Sequence, residues 1–225
     1  MGKRIVFGVV AVLLVVAAAY ANFFVAPTER TMGLIQRIFY FHAATAWAGE
    51  TTFFACFVAN LLYIWKRNPK YDWLGVTCAE VGLVCITVVL ITGPIWAHPV
   101  WGIWWTWDAR LTSTFVLWLL YISYLLLRSL IEEPDRRALL SALFGVFAFL
   151  DVPLVFFSIR WWRTQHPAPV IMGGSGSGLD PTMKKVFFFN VLVMHIFAAF
   201  LIVERYVVEK MKNDVELLQR EAEAQ

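Results

Sequence analysis

Residues 73–96 read WLGVTCAEVGLVCITVVLITGPIW, an apolar run whose one charged residue is Glu80. In an α-helix, which rises about 1.5 Å per residue, a run of this length crosses a lipid hydrocarbon layer of about 30 Å. Apolar runs of comparable character lie on both sides of it in the sequence. They occupy residues 5–26, 38–65, 111–127, 138–159 and 186–203.

The composition of the whole chain agrees with this pattern. Of the 225 residues, 60% are hydrophobic and 16% are charged, which is more apolar than a soluble domain. The sequence therefore predicts an all-α polytopic membrane protein whose six transmembrane helices form one domain over residues 1–208. In residues 209–225, charged and apolar side chains alternate as in an exposed amphipathic helix, so this segment is predicted to be a cytoplasmic tail.

The distribution of Lys and Arg predicts the orientation in the membrane. The short segments 66–70 and 128–137 are basic, and Arg205, Lys210 and Lys212 follow the sixth run. Because Lys and Arg are enriched on the cytoplasmic side of membranes, both termini are expected to be cytoplasmic. The outer face then receives residues 27–37, 97–110 and 160–185. The last of these segments contains GGSGSG at residues 173–178, which fits either a natural flexible loop or an engineered linker.

Several classes of protein are excluded by what the sequence lacks. The net charge is +3 without a basic patch, so nothing indicates binding to nucleic acid. The three cysteines lie inside apolar runs and form no CxxC motif, which excludes a thioredoxin-like reductase or a c-type cytochrome and favours a packing role. No phosphate-binding loop is present, so any use of ATP would belong to a partner.

Five of the 11 tryptophans are concentrated between the third and fourth runs, in residues 96–112. An interfacial aromatic belt would distribute tryptophans over all helix ends, whereas here they lie together with an acidic and a basic residue. Indole rings can stack on a flat apolar ligand, and a guanidinium can pair with a ligand carboxylate. We therefore predict a platform for a large flat ligand, with Asp108 orienting Arg110 or capping the next helix. The predicted contacts are Trp96, Trp101, Trp104, Trp105, Trp107, Asp108 and Arg110.

The sequence WGIWWTWDARLT at residues 101–112 resembles the WWD signature of the cytochrome c assembly family, whose general form is WGxWWxWDxRLT. Every fixed position matches. The chain length, the six runs and the position of this segment make nearly the whole chain similar to the CcmC branch, haem exporter protein C. This resemblance implies a non-enzymatic protein of the bacterial inner membrane that holds haem b without a covalent bond at the periplasmic face.

The resemblance also implies two histidines as axial ligands of the haem iron. His42 ends the sequence RIFYFH at residues 37–42, which is similar to the family element R-I-x-Y-x-H, and His166 ends RWWRTQH, which is similar to WWxTxH. Trp161 and Trp162 of the second element are expected to contact the haem. Two neutral imidazoles fill both axial positions of the iron, which suits a carrier. The chain departs from the family at Ala43-Ala44, where Val-Pro is usual, and this could change the direction of His42.

The same resemblance implies the partners. Members of this branch pass haem to the membrane-anchored haem chaperone CcmE and work with the small subunit CcmD. The ATP-binding cassette subunits CcmA and CcmB release the loaded chaperone. Whether this chain moves haem across the bilayer or only holds it is left open by the sequence.

Two alternatives remain at this stage. A cytochrome c haem lyase of the related WWD type would be an enzyme, but such proteins are usually longer. A b-type haem electron carrier would depend on His195, near the middle of the sixth run, with a partner histidine at equal depth. His98 is expected to be a rim hydrogen-bonding group. The roles of Glu50, Glu80 and Asp151 stay open, because acidic residues in lipid either connect helices or face a cavity.

Overall fold

The computed structural model describes residues 2–164, 166 and 178–223 as an α-helical bundle. Among these residues, six spans are long and apolar enough to cross a membrane, which confirms the predicted number. Except for Gly178, the Gly/Ser segment 173–178 lies outside the described residues. The α-helices are α1 Gly2–Tyr20, α2 Arg37–Lys66, α3 Pro69–Trp101, α4 Ala109–Ser129, α5 Pro134–Phe149, α6 Asp151–Trp161 and α7 Pro181–Glu223. A π-helical turn, Ala21–Val25, continues α1, and a 3-10 turn, Leu34–Gln36, precedes α2.

The even number of spans places the two ends of the chain on the same side of the bundle. We call the opposite side, which carries residues 26–36, 102–108 and 178–180, the outer side. That it faces the periplasm stays a prediction from the charge pattern. Helix α7 continues through residues 208 and 209 without a break, so the predicted tail extends the last span as one helix.

The fifth span consists of two helices, α5 and α6, where the sequence predicted one continuous run. The break is at Leu150, whose N–H donates to the Phe147 carbonyl at 3.1 Å. Pro153 has no N–H to donate to the carbonyl of Phe149, four residues earlier. The missing hydrogen bond explains why the span divides at this point.

Local sequence sets the other helix ends. The Asn68 side chain accepts a hydrogen bond from Lys70 N at 3.0 Å, and Glu133 likewise caps α5. In both helices proline is the first residue, a position where its missing N–H costs nothing. Between α1 and α2, the Glu29 carboxylate accepts hydrogen bonds from the backbone N–H groups of Met32 and Thr31, and these bonds lower the pKa of Glu29.

Helices α2 and α3 form the centre of the bundle, and small residues let them approach closely. A Cβ atom at Gly82 would lie only 2.4 Å from Phe53 Cε1, and one at Gly49 would lie 3.0 Å from Cys85 Cβ. Such contacts replace the hydrophobic effect as the source of helix association in lipid. The three cysteines are free and buried, in agreement with their predicted packing role.

Ion pairs connect the helices toward the inner side. Arg128 of α4 donates to both carboxylate oxygens of Asp72 of α3, at 2.5 and 2.9 Å. Arg205 of α7 pairs with Glu80 of α3 at 2.5 Å and with Glu209 at 3.0 Å. Glu80, whose role the sequence left open, thus connects two helices.

Candidate functional site

A cavity near the outer side brings together residues that are far apart in the sequence. Including the solvent at its mouth, it encloses about 690 Å³. Its walls come from α2, α3, α4 and α6 and are largely apolar. Of the predicted site residues, those that line it are His42, Trp96, Trp101, Trp105, Arg110 and His166.

Helix α2 supplies one wall of the cavity. His42, Ala46 and Glu50 are spaced four residues apart, so they lie on one face of the helix, and all three line the cavity. His42 follows the start of α2 at Arg37 by about 7.5 Å at the helical rise.

The tryptophan-rich segment is more helical than predicted. Helix α3 continues to Trp101 and α4 begins at Ala109, so the non-helical loop is residues 102–108, shorter than the predicted outer segment 97–110. Pro99 lies inside α3. The helix ends at Gly102, whose left-handed φ of 72° lets its N–H donate to the His98 carbonyl at 2.9 Å.

The five tryptophans of this segment divide into two groups. Trp96, Trp101 and Trp105 line the cavity, whereas Trp104 and Trp107 are 58% and 74% exposed. The indole nitrogens of Trp96 and Trp105 are buried without a hydrogen-bond partner among the described residues. Buried donors are normally satisfied, so these two N–H groups suit a polar substituent of a bound ligand.

The exposed aromatic residues form a rim outside the cavity. Trp104 stacks on His98 with ring centroids 4.2 Å apart, which makes His98 a rim group through stacking. Trp107 packs its edge against Trp105. Trp161 and Trp162, at the end of α6, are 59% and 53% exposed. None of these residues lines the cavity, so their predicted contact with haem would have to be made from its edge.

Asp108 caps α4, one of the two roles expected for it. Its Oδ1 accepts hydrogen bonds from Arg110 N at 2.9 Å and Leu111 N at 3.0 Å. The Arg110 side chain instead points into the cavity, where Nη1 donates to the Val155 carbonyl at 2.5 Å. Nη2 lies 3.9 Å from Glu50 Oε1. The cavity therefore contains a partly shielded pair of opposite charges.

Glu50 is a site residue that sequence reasoning did not assign. The available signal was its spacing of eight residues from His42, which places both on one helix face. The sequence alone did not show that this face borders a cavity, because that depends on α3, α4 and α6. Asp151, by contrast, is 8% exposed and does not line the cavity.

The two predicted ligands are held differently. His42 is 9% exposed, its Nδ1 lies 2.8 Å from Thr92 Oγ1, and its ring contacts that of Trp96 at 5.9 Å between centroids. The backbone N–H of His166 donates to Thr164 Oγ1 at 3.1 Å. Both residues line the same cavity, which is one condition that two axial ligands of one haem would have to meet.

His195 is placed away from this cavity. Its Nδ1 lies 2.7 Å from the Val191 carbonyl and its Nε2 lies 3.1 Å from Thr51 Oγ1. With both ring nitrogens in hydrogen bonds, His195 connects α7 to α2. The structure therefore offers no support for a b-type electron carrier built on His195.

The donor set of the cavity fits haem. Two histidines can ligate the iron, and apolar walls suit the faces of the porphyrin. Two indole N–H groups that have no partner in the described part of the chain, and a guanidinium, suit its polar substituents. Ile86, Val89 and Leu90 contribute to the apolar wall.

Comparison with known proteins gives matches over nearly the whole chain. The family model described as Heme exporter protein C matches residues 3–225. The Heme exporter protein C of Bradyrhizobium diazoefficiens is 31% identical over 190 residues, covering 84% of this chain and 70% of the relative. That of Haemophilus influenzae is 30% identical over 195 residues, covering 84% and 77%. A putative cytochrome c biosynthesis ccmC-like mitochondrial protein of Arabidopsis thaliana is 28% identical over 205 residues, covering 88% and 78%.

Proposed function

Because this chain belongs to the Heme exporter protein C family, whose members deliver haem for cytochrome c maturation, we propose that it holds haem b non-covalently between His42 and His166. The haem is then passed to the haem chaperone CcmE at the periplasmic face of the inner membrane. The observation that supports this most is the single cavity that both histidines border, together with three tryptophans of the WWD segment.

The residues of the cavity have different roles in binding haem. When bound, haem supplies an iron that accepts neutral imidazole nitrogens, and two of them leave no open axial position. His42 and His166 serve as these ligands. Trp96, Trp101 and Trp105 cover the macrocycle, and the buried indole N–H groups of Trp96 and Trp105 donate to its polar substituents.

The Arg110 guanidinium pairs with a haem propionate. It has five N–H donors, and the structure shows one hydrogen bond, to Val155, and a longer contact of 3.9 Å with Glu50. Donors therefore remain for a second carboxylate. Glu50 keeps the guanidinium directed into the cavity, where the propionate would be shielded from water.

Handover requires a surface that a partner can reach, and we assign this to the exposed rim of Trp104, Trp107, Trp161 and Trp162. Aromatic side chains that are apolar at one end and able to donate at the other are common in binding surfaces. CcmE docks on this rim and takes the haem by its exposed edge. CcmD and the ATP-binding cassette pair CcmA and CcmB complete the assembly, and the latter supply the ATPase.

The coordination is tested by the optical spectrum of the purified protein titrated with hemin. Wild type is expected to give a six-coordinate, low-spin spectrum in the oxidised and reduced states. His166→Ala is expected to change the spin state and to weaken haem binding more than about tenfold, since a ligand matters at least as much as its supporting partners. His98→Ala is the matched control, because His98 is on the outer side but does not line the cavity.

Two outcomes would contradict the proposed site. One is a His166→Ala spectrum identical to that of wild type. The other is haem that is retained by His166→Ala and lost only by His195→Ala, which would favour the internal electron carrier.

The rim is tested by substituting Trp104 and Trp107 together with alanine. We expect haem binding to stay within about threefold of wild type, because neither residue lines the cavity, while haem transfer to purified CcmE slows about tenfold or more, the range of a lost interface anchor. The control is Trp65→Ala, a tryptophan that is 80% exposed at the inner end of α2. Equal transfer rates in all three proteins would contradict the assignment of the rim.

A further inference from the structure

Thr92 of α3 lies directly behind His42. Its Oγ1 is 2.8 Å from His42 Nδ1, and the same oxygen is 2.8 Å from the Val88 carbonyl, one helical turn earlier. A carbonyl oxygen can only accept, so the short contact with Val88 requires the single proton of the Thr92 hydroxyl. Thr side chains in helices commonly make this bond.

The direction of that hydrogen bond determines which ring nitrogen of His42 carries the proton. With its proton directed to Val88, the Thr92 oxygen has lone pairs left and accepts the contact from His42. His42 must then carry its proton on Nδ1. In a neutral imidazole the other nitrogen, Nε2, is consequently left with a lone pair, which is the atom that a metal needs.

Neighbours of Thr92 restrict the ring further. A Cβ atom at Gly93 would lie 3.5 Å from His42 Cε1, so the α3 backbone contacts the ring beside its hydrogen bond. On the next turn of α3, Trp96 approaches the ring at 61°. One helix thus fixes both the rotation and the hydrogen bonding of His42.

From this geometry, and resting on the proposed haem function, we propose that Thr92 is a positioning residue that holds His42 in the Nδ1–H tautomer and presents Nε2 to haem iron. A metal-bound histidine usually donates its second N–H to an acceptor, which sets its orientation and raises its basicity. Loss of that acceptor typically weakens metal binding 10- to 100-fold, roughly. Here the acceptor is a hydroxyl that is itself fixed by a backbone carbonyl.

The variant to make is Thr92→Val, which keeps the shape of the side chain and removes the acceptor. Thr92→Ser keeps the hydroxyl group and removes the methyl group, so it retains the acceptor. Thr87→Val is the matched control, because Thr87 is on the same helix and donates to Leu83 O at 2.7 Å, but its hydroxyl accepts from Trp118 Nε1 at 2.9 Å instead of contacting His42. General loosening of α3 would therefore affect both valine variants.

The first readout uses the protein without haem. In ¹⁵N-histidine spectra of the detergent-solubilised protein, His42 is expected to show the Nδ1–H tautomer in wild type and Thr92→Ser, and to lose this preference in Thr92→Val. The second readout is hemin affinity, with an expected loss of about 10- to 100-fold for Thr92→Val and little change for Thr87→Val.

An unchanged tautomer and affinity in Thr92→Val would overturn the role of Thr92, as would an equal loss in Thr87→Val. Failure of the proposed function has a different signature. It would show as a wild-type protein that binds no haem through histidine, while the tautomer measured without haem still reports on Thr92.

Discussion

The His42→Gly variant is expected to lose the six-coordinate spectrum of bound haem and to bind hemin roughly 100-fold more weakly or worse, beyond the usual cost of losing a ligand's supporting partner. His42 is 9% exposed and held by Thr92 and Trp96, and among the described residues that line the cavity its loss leaves one histidine, His166. The measurement is the same hemin titration, followed by optical and electron paramagnetic resonance spectra.

Added imidazole provides a second test of this variant. Removal of the side chain leaves a space the size of an imidazole ring at the cavity wall, so millimolar imidazole is expected to restore the low-spin spectrum. The control is His195→Gly, which removes a histidine that is hydrogen-bonded on another part of the bundle. Wild-type coordination in His42→Gly without imidazole would refute the ligand assignment.

The second large effect is expected on stability and concerns the buried pair of Asp72 and Arg128. Their side chains are 12% and 8% exposed, and the two hydrogen bonds between them are parallel, which is the strong geometry for this pair. Asp72→Asn leaves the arginine buried without its hydrogen-bonded carboxylate. This is expected to cost about 3 to 5 kcal/mol in the free energy of unfolding.

Unfolding in mixed micelles of increasing denaturing detergent measures this change. The double variant Asp72→Asn/Arg128→Met is expected to recover much of the loss, because it removes both charges. Glu204→Gln, which breaks the more exposed pair with Arg4, is expected to have only a small effect. An Asp72→Asn variant as stable as Glu204→Gln would contradict the argument.

The candidate site shows how far a motif can be followed without a structure. His42, His166, Trp96, Trp101, Trp105 and Arg110 were all predicted from the sequence, and all border one cavity. Trp104 and Trp107 belong to the same motif but are exposed, whereas Trp105, which lies between them in the same loop, lines the cavity. A shared motif therefore did not imply a shared position.

The residues that sequence reasoning left unassigned are those whose role depends on a neighbouring helix. Glu50 gains a role because Arg110 of α4 reaches into the same space, and Thr92 gains one because α2 places Nδ1 of His42 next to its hydroxyl. Either residue, seen in its own apolar run, is indistinguishable from other polar residues of membrane helices. Prolines were similarly ambiguous, since Pro153 breaks a span and Pro99 does not.

By itself, the sequence determined that this protein is a six-span helical bundle and which segment carries the ligand platform. These properties follow from the length of apolar runs and from local composition, because a backbone in lipid must satisfy its hydrogen bonds within each helix. The tertiary structure decided which members of the platform face inward, what lies behind His42 and where Arg110 finds its countercharge. These features depend on the rotation and depth of each helix relative to its neighbours. Side-chain packing between segments that are distant in the sequence sets that rotation and depth.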